Sequence, residues 1–283
     1  MTNDSFSTPA IQRESYRIQF TGSLGYELAG IIDRPSDEKE IRATAVFSHC
    51  FTCNKDLKAI VRISRALSSV GVAVLRFDMT GLGGSDGDFS ETNFSTNVED
   101  LHLAIEFARR ELGSLNGLIG HSFGGAATLA VTGAMSAANT QPTNSIPVAI
   151  TLAAPSDTQH LAVLLSKMNP EIECNGSGMV TIGGRSWRIT QKMLDDFRSH
   201  NLPKLIGQIQ SPTLLFHSPV DETVSYDHAI RIAGLIQNGS NEATPPSIIS
   251  LIDSDHLLTR PGTTIDWVSS TIAAFLMRFS NRI

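Results

Sequence analysis

The stretch at residues 116–125, Asn-Gly-Leu-Ile-Gly-His-Ser-Phe-Gly-Gly, decides the fold. Residues 115–119 lead into it as a short apolar run that predicts a buried strand, and residues 123–137 follow as an alanine-rich run that predicts a helix. The pattern Gly-His-Ser-Phe-Gly places Ser122 at the sharp turn between them. This strand–turn–helix, a nucleophile elbow, predicts Ser122 as a nucleophile. The alternative is a tight structural turn in a Rossmann-like sheet.

Strands and helices alternate on both sides of the elbow. Such alternation is typical of a mostly parallel sheet flanked by helices, so we expect an α/β fold. The N-terminal segment differs, because residues 16–21 and 26–32 alternate around a Gly-rich turn and predict an antiparallel hairpin. The predicted strands are residues 43–48, 72–77, 115–119, 147–153, 213–217 and 247–252, and the predicted helices are residues 57–69, 97–112, 123–137, 224–236 and 264–279.

The alternation is interrupted by residues 156–208. This segment contains a helix-like stretch at 159–168, a hairpin centred on Gly183-Gly184 and a second helix at 190–199. We therefore expect residues 1–155 and 209–283 to form the core, and residues 156–208 to form a small inserted cap. Apolar cap side chains are candidates to line a site, with packing of the cap onto the core as the alternative for each: Leu161, Leu164, Leu165, Met168, Trp187 and Met193.

A serine hydroxyl is a weak nucleophile unless a histidine takes its proton and a carboxylate orients that histidine. After an elbow of this type, the acid and then the histidine follow the serine along the chain. Asp221 comes just after the strand at 213–217, and His256 just after the strand at 247–252. Both therefore lie at carboxyl ends of strands, where open α/β sheets build their sites. We predict Ser122, Asp221 and His256 as a catalytic triad.

Neighbouring residues offer alternatives to this triad. Glu222 adjoins Asp221, but the one-residue offset turns its side chain away. Asp255 directly precedes His256 and is badly placed to reach its ring, and Asp253 is a weaker alternative still. A structural role is also open for each partner: a helix N-cap for Asp221 and a surface loop position for His256.

Acyl transfer also needs two backbone N–H groups aimed at the developing negative charge, an oxyanion hole. The residue after the nucleophile, Phe123, supplies one of them. We predict Phe51, in the loop that follows the strand at 43–48, as the second donor. Three further residues are candidate substrate contacts: Cys50, His121 and Trp187. For His121, structural packing near the site is the alternative.

The chain has three cysteines, Cys50, Cys53 and Cys174. So small and odd a number does not make a disulfide framework, so we expect a reduced, cytoplasmic protein. Cys50 and Cys53 also form a C-x-x-C pattern, for which a redox pair or half a metal site is the alternative. There is no second C-x-x-C, and Cys174 alone does not complete a zinc site. We therefore expect no metal and no cofactor.

The charge and composition of the chain limit the kinds of partner that we expect it to bind. The 283 residues carry a net charge of −6, which gives no electrostatic footprint for nucleic acid or an anionic membrane. No run approaches the ~20 apolar residues of a spanning helix, and the first residues lack the basic start and apolar run of a signal peptide. We expect a cytoplasmic protein that acts on a small molecule, without nucleic acid or membrane partners. Monomer and homodimer both stay open.

With these residues identified, the chain resembles the α/β-hydrolase fold superfamily over about residues 26–280. It is most similar to the hydrolase module that some bacteria fuse to an OsmC-like peroxidase domain. Most hydrolases carry Gly where this chain has Cys50. Since the sequence ends at Ile283, we expect no function that depends on the fused partner. The resembling segments are residues 48–57 (Ser-His-Cys-Phe-Thr-Cys-Asn-Lys-Asp-Leu), 75–85 (Leu-Arg-Phe-Asp-Met-Thr-Gly-Leu-Gly-Gly-Ser), 120–125 and 217–224.

The resemblance implies the same roles for Ser122, Asp221 and His256 as the residue argument does. The sequence thus predicts a serine esterase that hydrolyses small-molecule carboxylic esters. A thioesterase or acyltransferase on the same triad is the alternative within this fold. A ligand-binding member without catalysis is the alternative from another class, and the complete triad argues against it. Nothing in the sequence marks the amine-binding site of a peptidase.

Overall fold

The structure, a computed structural model, describes residues 11–138, 145–239, 243–259 and 264–280. The predicted core segment 1–155 includes residues 1–10 and 139–144, which lie outside the described residues. The strands are β1 (Arg13–Thr21), β2 (Glu27–Pro35), β3 (Ala43–Ser48), β4 (Val72–Phe77), β5 (Gly117–His121), β6 (Ala149–Leu152), β7 (Ser177–Ile182), β8 (Arg185–Thr190), β9 (Thr213–His217) and β10 (Ser247–Ser250). The helices are α1 (Lys58–Ser68), α2 (Phe94–Leu112), α3 (Phe123–Ala137), α4 (Gln159–Met168), α5 (Glu171–Asn175), α6 (Gln191–Ser199), α7 (Leu202–Ile206), α8 (Asp227–Gly239) and α9 (Thr264–Ser280).

An eight-stranded sheet in the order β1-β2-β4-β3-β5-β6-β9-β10 forms the centre of the molecule. The strands from β4 to β10 in this order run parallel, while β1 pairs antiparallel with β2 and β2 pairs antiparallel with β4. The predicted α/β fold, its mostly parallel sheet and its N-terminal antiparallel hairpin are confirmed. The site-bearing loops after β3, β5, β9 and β10 therefore emerge at one edge of the sheet, because parallel strands end on the same side.

Two apolar clusters bury the two faces of this sheet. Adjacent residues of β3 serve opposite faces, since Val46 belongs to one cluster and Phe47 to the other. The cluster around Phe47 includes residues of α1 and α9, and the cluster around Val46 includes residues of α2, α3 and α8. Both faces are covered, which explains why β3 and β4 are apolar at nearly every position rather than alternating.

The segment between β6 and β9 leaves the sheet and returns to it, because β6 and β9 are themselves neighbours. It contains α4 to α7 and the β7–β8 hairpin, which forms a two-stranded sheet of its own. Buried side chains such as Leu165, Ile172 and Phe197 join the apolar cluster of the core, so this cap has no separate core. Helices α5 and α7 were not predicted, because five residues are too few to show helical periodicity.

Two helix starts differ by three residues from the predicted ones. Helix α2 begins at Phe94 because Asn93 and Thr96 form a reciprocal capping box, in which a threonine replaces the usual glutamate. Helix α8 begins at Asp227 rather than at 224, since the residues before it form the turn that contains Asp221. Within the described part of the chain, no helix combines the length and the apolar character needed to cross a bilayer.

Candidate active site

Ser122 lies at the turn between β5 and α3 with φ 53° and ψ −118°. A non-glycine residue in such a conformation is strained by about 1–3 kcal/mol, so the surroundings must enforce it. The Ser122 N–H donates to the carbonyl of Leu152 at 2.8 Å, and the Ser122 carbonyl accepts from Ala126 N–H at 3.0 Å. These bonds to β6 and to the first turn of α3 hold the hydroxyl at the sheet edge.

Gly120 and Gly124 allow the elbow to approach the end of β3. A Cβ atom on Gly124 would lie 2.4 Å from the Ser48 carbonyl oxygen and 2.3 Å from the His49 carbonyl oxygen. A Cβ atom on Gly120 would lie 2.4 Å from the Gly124 carbonyl oxygen. Glycine is therefore required at both positions, and the close approach brings the loop after β3 beside Ser122.

The three predicted catalytic side chains form one hydrogen-bonded chain. His256 Nε2 lies 2.9 Å from Ser122 Oγ, and His256 Nδ1 lies 2.8 Å from Asp221 Oδ2. An ionised carboxylate only accepts hydrogen bonds, so Nδ1 carries the proton. In the neutral ring, Nε2 is then an acceptor that faces the Ser122 hydroxyl, which is the arrangement a general base needs.

Asp221 is held by backbone donors as well as by His256. Its Oδ1 accepts the N–H groups of Thr223 at 2.8 Å and Val224 at 2.9 Å, while its side chain is fully buried. Burial raises the pKa of Asp221, but the hydrogen bonds from His256 and these amides outweigh it and hold the pKa below its usual value. The carboxylate is therefore ionised at neutral pH. The N-cap alternative is wrong, because α8 begins six residues later.

The neighbouring acids face elsewhere. Glu222 is exposed, and Asp253 is exposed on the loop before His256. The Asp255 carboxylate accepts from Thr259, through both the N–H at 2.7 Å and the hydroxyl. These positions leave Asp221 as the carboxylate that reaches the His256 ring in the described structure.

His121, a candidate substrate contact, lies behind the site instead of in it. Its Nε2 donates to the carbonyl of His256 at 2.7 Å, and the residue is buried. Burial, together with the nearby His256, lowers the pKa of His121 to about 4, so the ring is neutral at pH 7. The prediction of substrate contact is corrected: the side chain fixes the backbone that carries His256, and it is not part of the cavity wall.

The loop after β3 supplies the peptide between Cys50 and Phe51. The Cys50 carbonyl accepts from His49 Nδ1 at 2.8 Å and from the Cys53 N–H at 3.1 Å. His49 Nε2 accepts the Met79 N–H at 3.1 Å, which leaves the proton on Nδ1. In a trans peptide the N–H points opposite to the carbonyl, so the Phe51 N–H points away from His49. Phe123 opens α3, where an N–H has no partner within the helix.

The expectation of reduced cysteines is wrong in this structure. Cys50 and Cys53 form a disulfide with their Cα atoms 5.3 Å apart, and Cys174 is free and exposed. Three residues of separation and a turn hydrogen bond bring the two sulfurs together, which a count of cysteines does not reveal. The number of cysteines therefore no longer supports a cytoplasmic location. The disulfide closes the turn that contains Phe51.

A cavity of about 520 Å³ opens beside Ser122. Loop, elbow and cap all contribute to it: Cys50, Phe51, Thr52, Cys53, Asn54, Ser122, Phe123, Pro155, His160, Leu161, Leu164, Leu165, Met168, Thr181, Ile182, Gly183, Arg185, Thr223, Val224, His256 and Leu257. Cys50 thus lines the cavity, but as half of the disulfide. Ser122, His256 and both predicted oxyanion donors meet at the same cavity.

The cap contributes some of its predicted apolar residues and not others. The four on α4, which are Leu161, Leu164, Leu165 and Met168, line the cavity. Met193 is buried in the core cluster. The prediction that Trp187 contacts the substrate is corrected. Its ring packs edge-on against the Phe89 ring, with the ring centroids 4.9 Å apart, and the residue is not part of the cavity wall.

The cavity residues that were not predicted from the sequence include two ionisable ones, His160 and Arg185. Arg185 follows the Gly183-Gly184 turn, so the hairpin pattern places it at a tip, but only the packing of the cap brings that tip to the cavity that Ser122 also lines. No group of three or more His, Cys, Asp or Glu side chains among the described residues is arranged to hold a metal ion.

The chain is similar to known proteins in both sequence and structure. The family model described as "Serine aminopeptidase, S33" matches residues 39–173. The esterase domain of a Rhodothermus marinus protein is 34% identical, with 96% of this chain and 100% of that chain covered and a TM-score of 0.69. No curated protein gave a match.

Two more distant structures share the fold. Est1E from Butyrivibrio proteoclasticus, solved with ferulic acid bound, is 18% identical over 93% of this chain and 98% of its own, with a TM-score of 0.75. The mouse alpha/beta hydrolase domain-containing protein 10 is 19% identical over 93% of this chain and 99% of its own, with a TM-score of 0.69. The sheet, the elbow and the identity to the Rhodothermus domain define the class: this chain belongs to the α/β-hydrolase family.

Proposed function

We propose that the protein is a serine esterase that hydrolyses carboxylic esters of small molecules. One observation carries the proposal: the chain from Asp221 through His256 to Ser122, with separations of 2.8 and 2.9 Å, ends at an open, mostly apolar cavity. The similarity to the esterase domain of the Rhodothermus marinus protein supports the same activity.

The geometry suits an acyl-enzyme mechanism. His256 Nε2 takes the proton of the Ser122 hydroxyl as Oγ attacks the ester carbonyl, and the Asp221 carboxylate stabilises the imidazolium that results. The N–H groups of Phe51 and Phe123 stabilise the oxyanion. His256 then returns the proton to the leaving alkoxide, which departs as the alcohol. Water, deprotonated by His256, then attacks the acyl-enzyme. As the bond from the acyl carbon to Ser122 Oγ breaks, His256 returns this proton to Oγ, and the acid leaves.

The charges of the cavity favour esters over the substrates of an aminopeptidase. A protonated α-amino group needs an anionic partner when it is removed from water. Within the described structure, no Asp or Glu side chain lines the cavity, and its one permanently charged residue is Arg185. An ammonium group would therefore be repelled where a neutral acyl group is accepted.

Two substrates that differ in one group test this choice. The p-nitrophenyl ester of 4-methylpentanoate has the shape of the leucine ester without its amino group. We expect kcat/KM to be about 10-fold or more higher for the 4-methylpentanoate ester, after division by each ester's rate with hydroxide. Leucine p-nitroanilide should be cleaved slowly or not at all. Faster turnover of the leucine ester, together with cleavage of the anilide, would instead establish an aminopeptidase.

A further inference from the structure

The described residues of the cavity wall carry a positive charge and no negative charge. Among the described residues that line it, Arg185 is permanently charged, His160 and His256 are the other ionisable groups, and there is no carboxylate. The protein as a whole is acidic, with a net charge of −6. A positive charge at the cavity of an acidic protein is thus a local feature and not a consequence of composition.

Arg185 is not neutralised by a neighbour. Within the described part of the chain it forms no ion pair, whereas Arg198 pairs with Glu173 and Arg231 pairs with Asp157. Arg188, on the same strand, donates to Ser177 Oγ at 3.0 Å. The Arg185 guanidinium therefore keeps its five donors for water or for a bound group.

His160 adds a polar group to the same cavity. The ring Nδ1 of His160 lies 2.9 Å from the Asp157 carbonyl oxygen, and the backbone N–H of His160 donates to Asp157 Oδ1 at 3.1 Å. Because the carbonyl only accepts, Nδ1 carries a proton, and Nε2 is the ring nitrogen left for a ligand. The hydrogen bond from His160 outweighs burial and holds the pKa of Asp157 well below its usual range, so an ionised Asp157 balances Arg231.

An apolar wall borders the same cavity. Leu161, Leu164 and Leu165 of α4 line it, and Ile182 on the hairpin precedes the turn to Arg185. Leu164 and Met168 are 44% and 47% exposed, which leaves their apolar surface available for contact. A ligand that matches both the apolar wall and the positive charge of Arg185 has an apolar chain and an anionic end.

We propose that the preferred substrates are esters in which an apolar chain ends in a carboxylate that Arg185 binds. This inference rests on the proposed esterase function and names its substrate class. Arginine and a carboxylate form two parallel charge-assisted hydrogen bonds, which would fix the chain along α4 while the ester lies at Ser122. His160 Nε2 would position a polar atom of the same substrate.

The acyl arm of the test compares p-nitrophenyl hemiesters of adipate, pimelate and suberate with p-nitrophenyl hexanoate, heptanoate and octanoate. These diacids are too long for the free carboxylate to attack its own ester through a small ring. The alcohol arm compares butyrate esters of 6-hydroxyhexanoate and of hexanol, so the two arms distinguish which half of the ester carries the anion. Each rate is divided by that of the same ester with hydroxide.

We expect Arg185→Gln to lower kcat/KM for the anionic esters of one arm by about 10-fold, mainly through KM, and to change kcat/KM much less for the neutral esters, which have no carboxylate for Arg185 to bind. The anionic preference of the unaltered protein should also weaken as salt is added. Arg188→Gln is the matched control, since it removes the same charge from the same hairpin away from the cavity. Retained turnover of neutral esters shows that each variant is folded.

The inference is overturned when the ratio of anionic to neutral ester rates is the same in the unaltered protein and in Arg185→Gln in both arms. An equal fall in Arg188→Gln would also overturn it, because the effect would then come from overall charge. If neither neutral nor anionic esters are hydrolysed at all, the proposed esterase function itself fails. The two failures are therefore distinct.

Discussion

Replacing Ser122 by alanine is expected to lower kcat/KM for a short-chain p-nitrophenyl ester by about 10⁵-fold. The change removes the atom that forms the acyl-enzyme, and neither His256 nor the oxyanion donors can replace it. Stability should change little, because alanine is about as strained as serine at a φ of 53° and the backbone bonds of the elbow do not involve the hydroxyl.

Ser156→Ala is the matched control. Ser156 is also a buried serine whose hydroxyl lies beside a histidine, with Oγ 2.9 Å from His228 Nδ1, but it is not part of the cavity wall. We expect its ester activity to stay within a few-fold of the unaltered protein. Full activity in Ser122→Ala would contradict the assignment of the nucleophile, and a comparable loss in Ser156→Ala would point to a general effect on folding.

The second large effect is expected for Asp221→Asn, with kcat about 10⁴-fold lower and KM little changed. Asparagine keeps a carbonyl oxygen for the N–H groups of Thr223 and Val224, so the turn is preserved. Its amide nitrogen, however, donates toward His256 Nδ1. That favours the tautomer with the proton on Nε2, which can no longer accept the Ser122 proton.

Asp255→Asn tests whether this loss is specific. Asp255 is one residue from His256, and its carboxylate binds Thr259 rather than the imidazole. We expect kcat to change by no more than a few-fold. If Asp255→Asn lost activity and Asp221→Asn kept it, the acid of the triad would be Asp255, and the orientation of the His256 ring would need a different explanation.

Much of the fold follows from local sequence pattern. The runs at residues 43–48 and 72–77 are apolar at nearly every position, which is enough to predict strands buried on both faces. Gly120 and Gly124 around Ser122 predict the elbow, because only small residues allow the approach to β3. Helices α5 and α7 escape prediction since they are short, and their stability comes from contacts with the cap and core rather than from periodicity.

Some residues of the site can also be predicted from local sequence pattern, and others cannot. Ser122, Asp221 and His256 can be proposed because each follows a recognisable strand in a fixed order along the chain. Arg185 and His160 cannot, because their place at the cavity depends on how the cap packs over the sheet edge. His121 and Trp187 failed as substrate contacts for the same reason: which way a side chain points is set by its partners, the His256 carbonyl and the Phe89 ring.

The nucleophile is identified most directly by treating the protein with a fluorophosphonate and mapping the modified peptide by mass spectrometry. Such a reagent bonds covalently to a serine that an adjacent base activates, so it reports the activated hydroxyl itself. We expect one label per chain, on Ser122, and none on the Ser122→Ala variant. A label on a different residue, or an unlabelled protein that still hydrolyses esters, would contradict the assignment of Ser122 as the nucleophile.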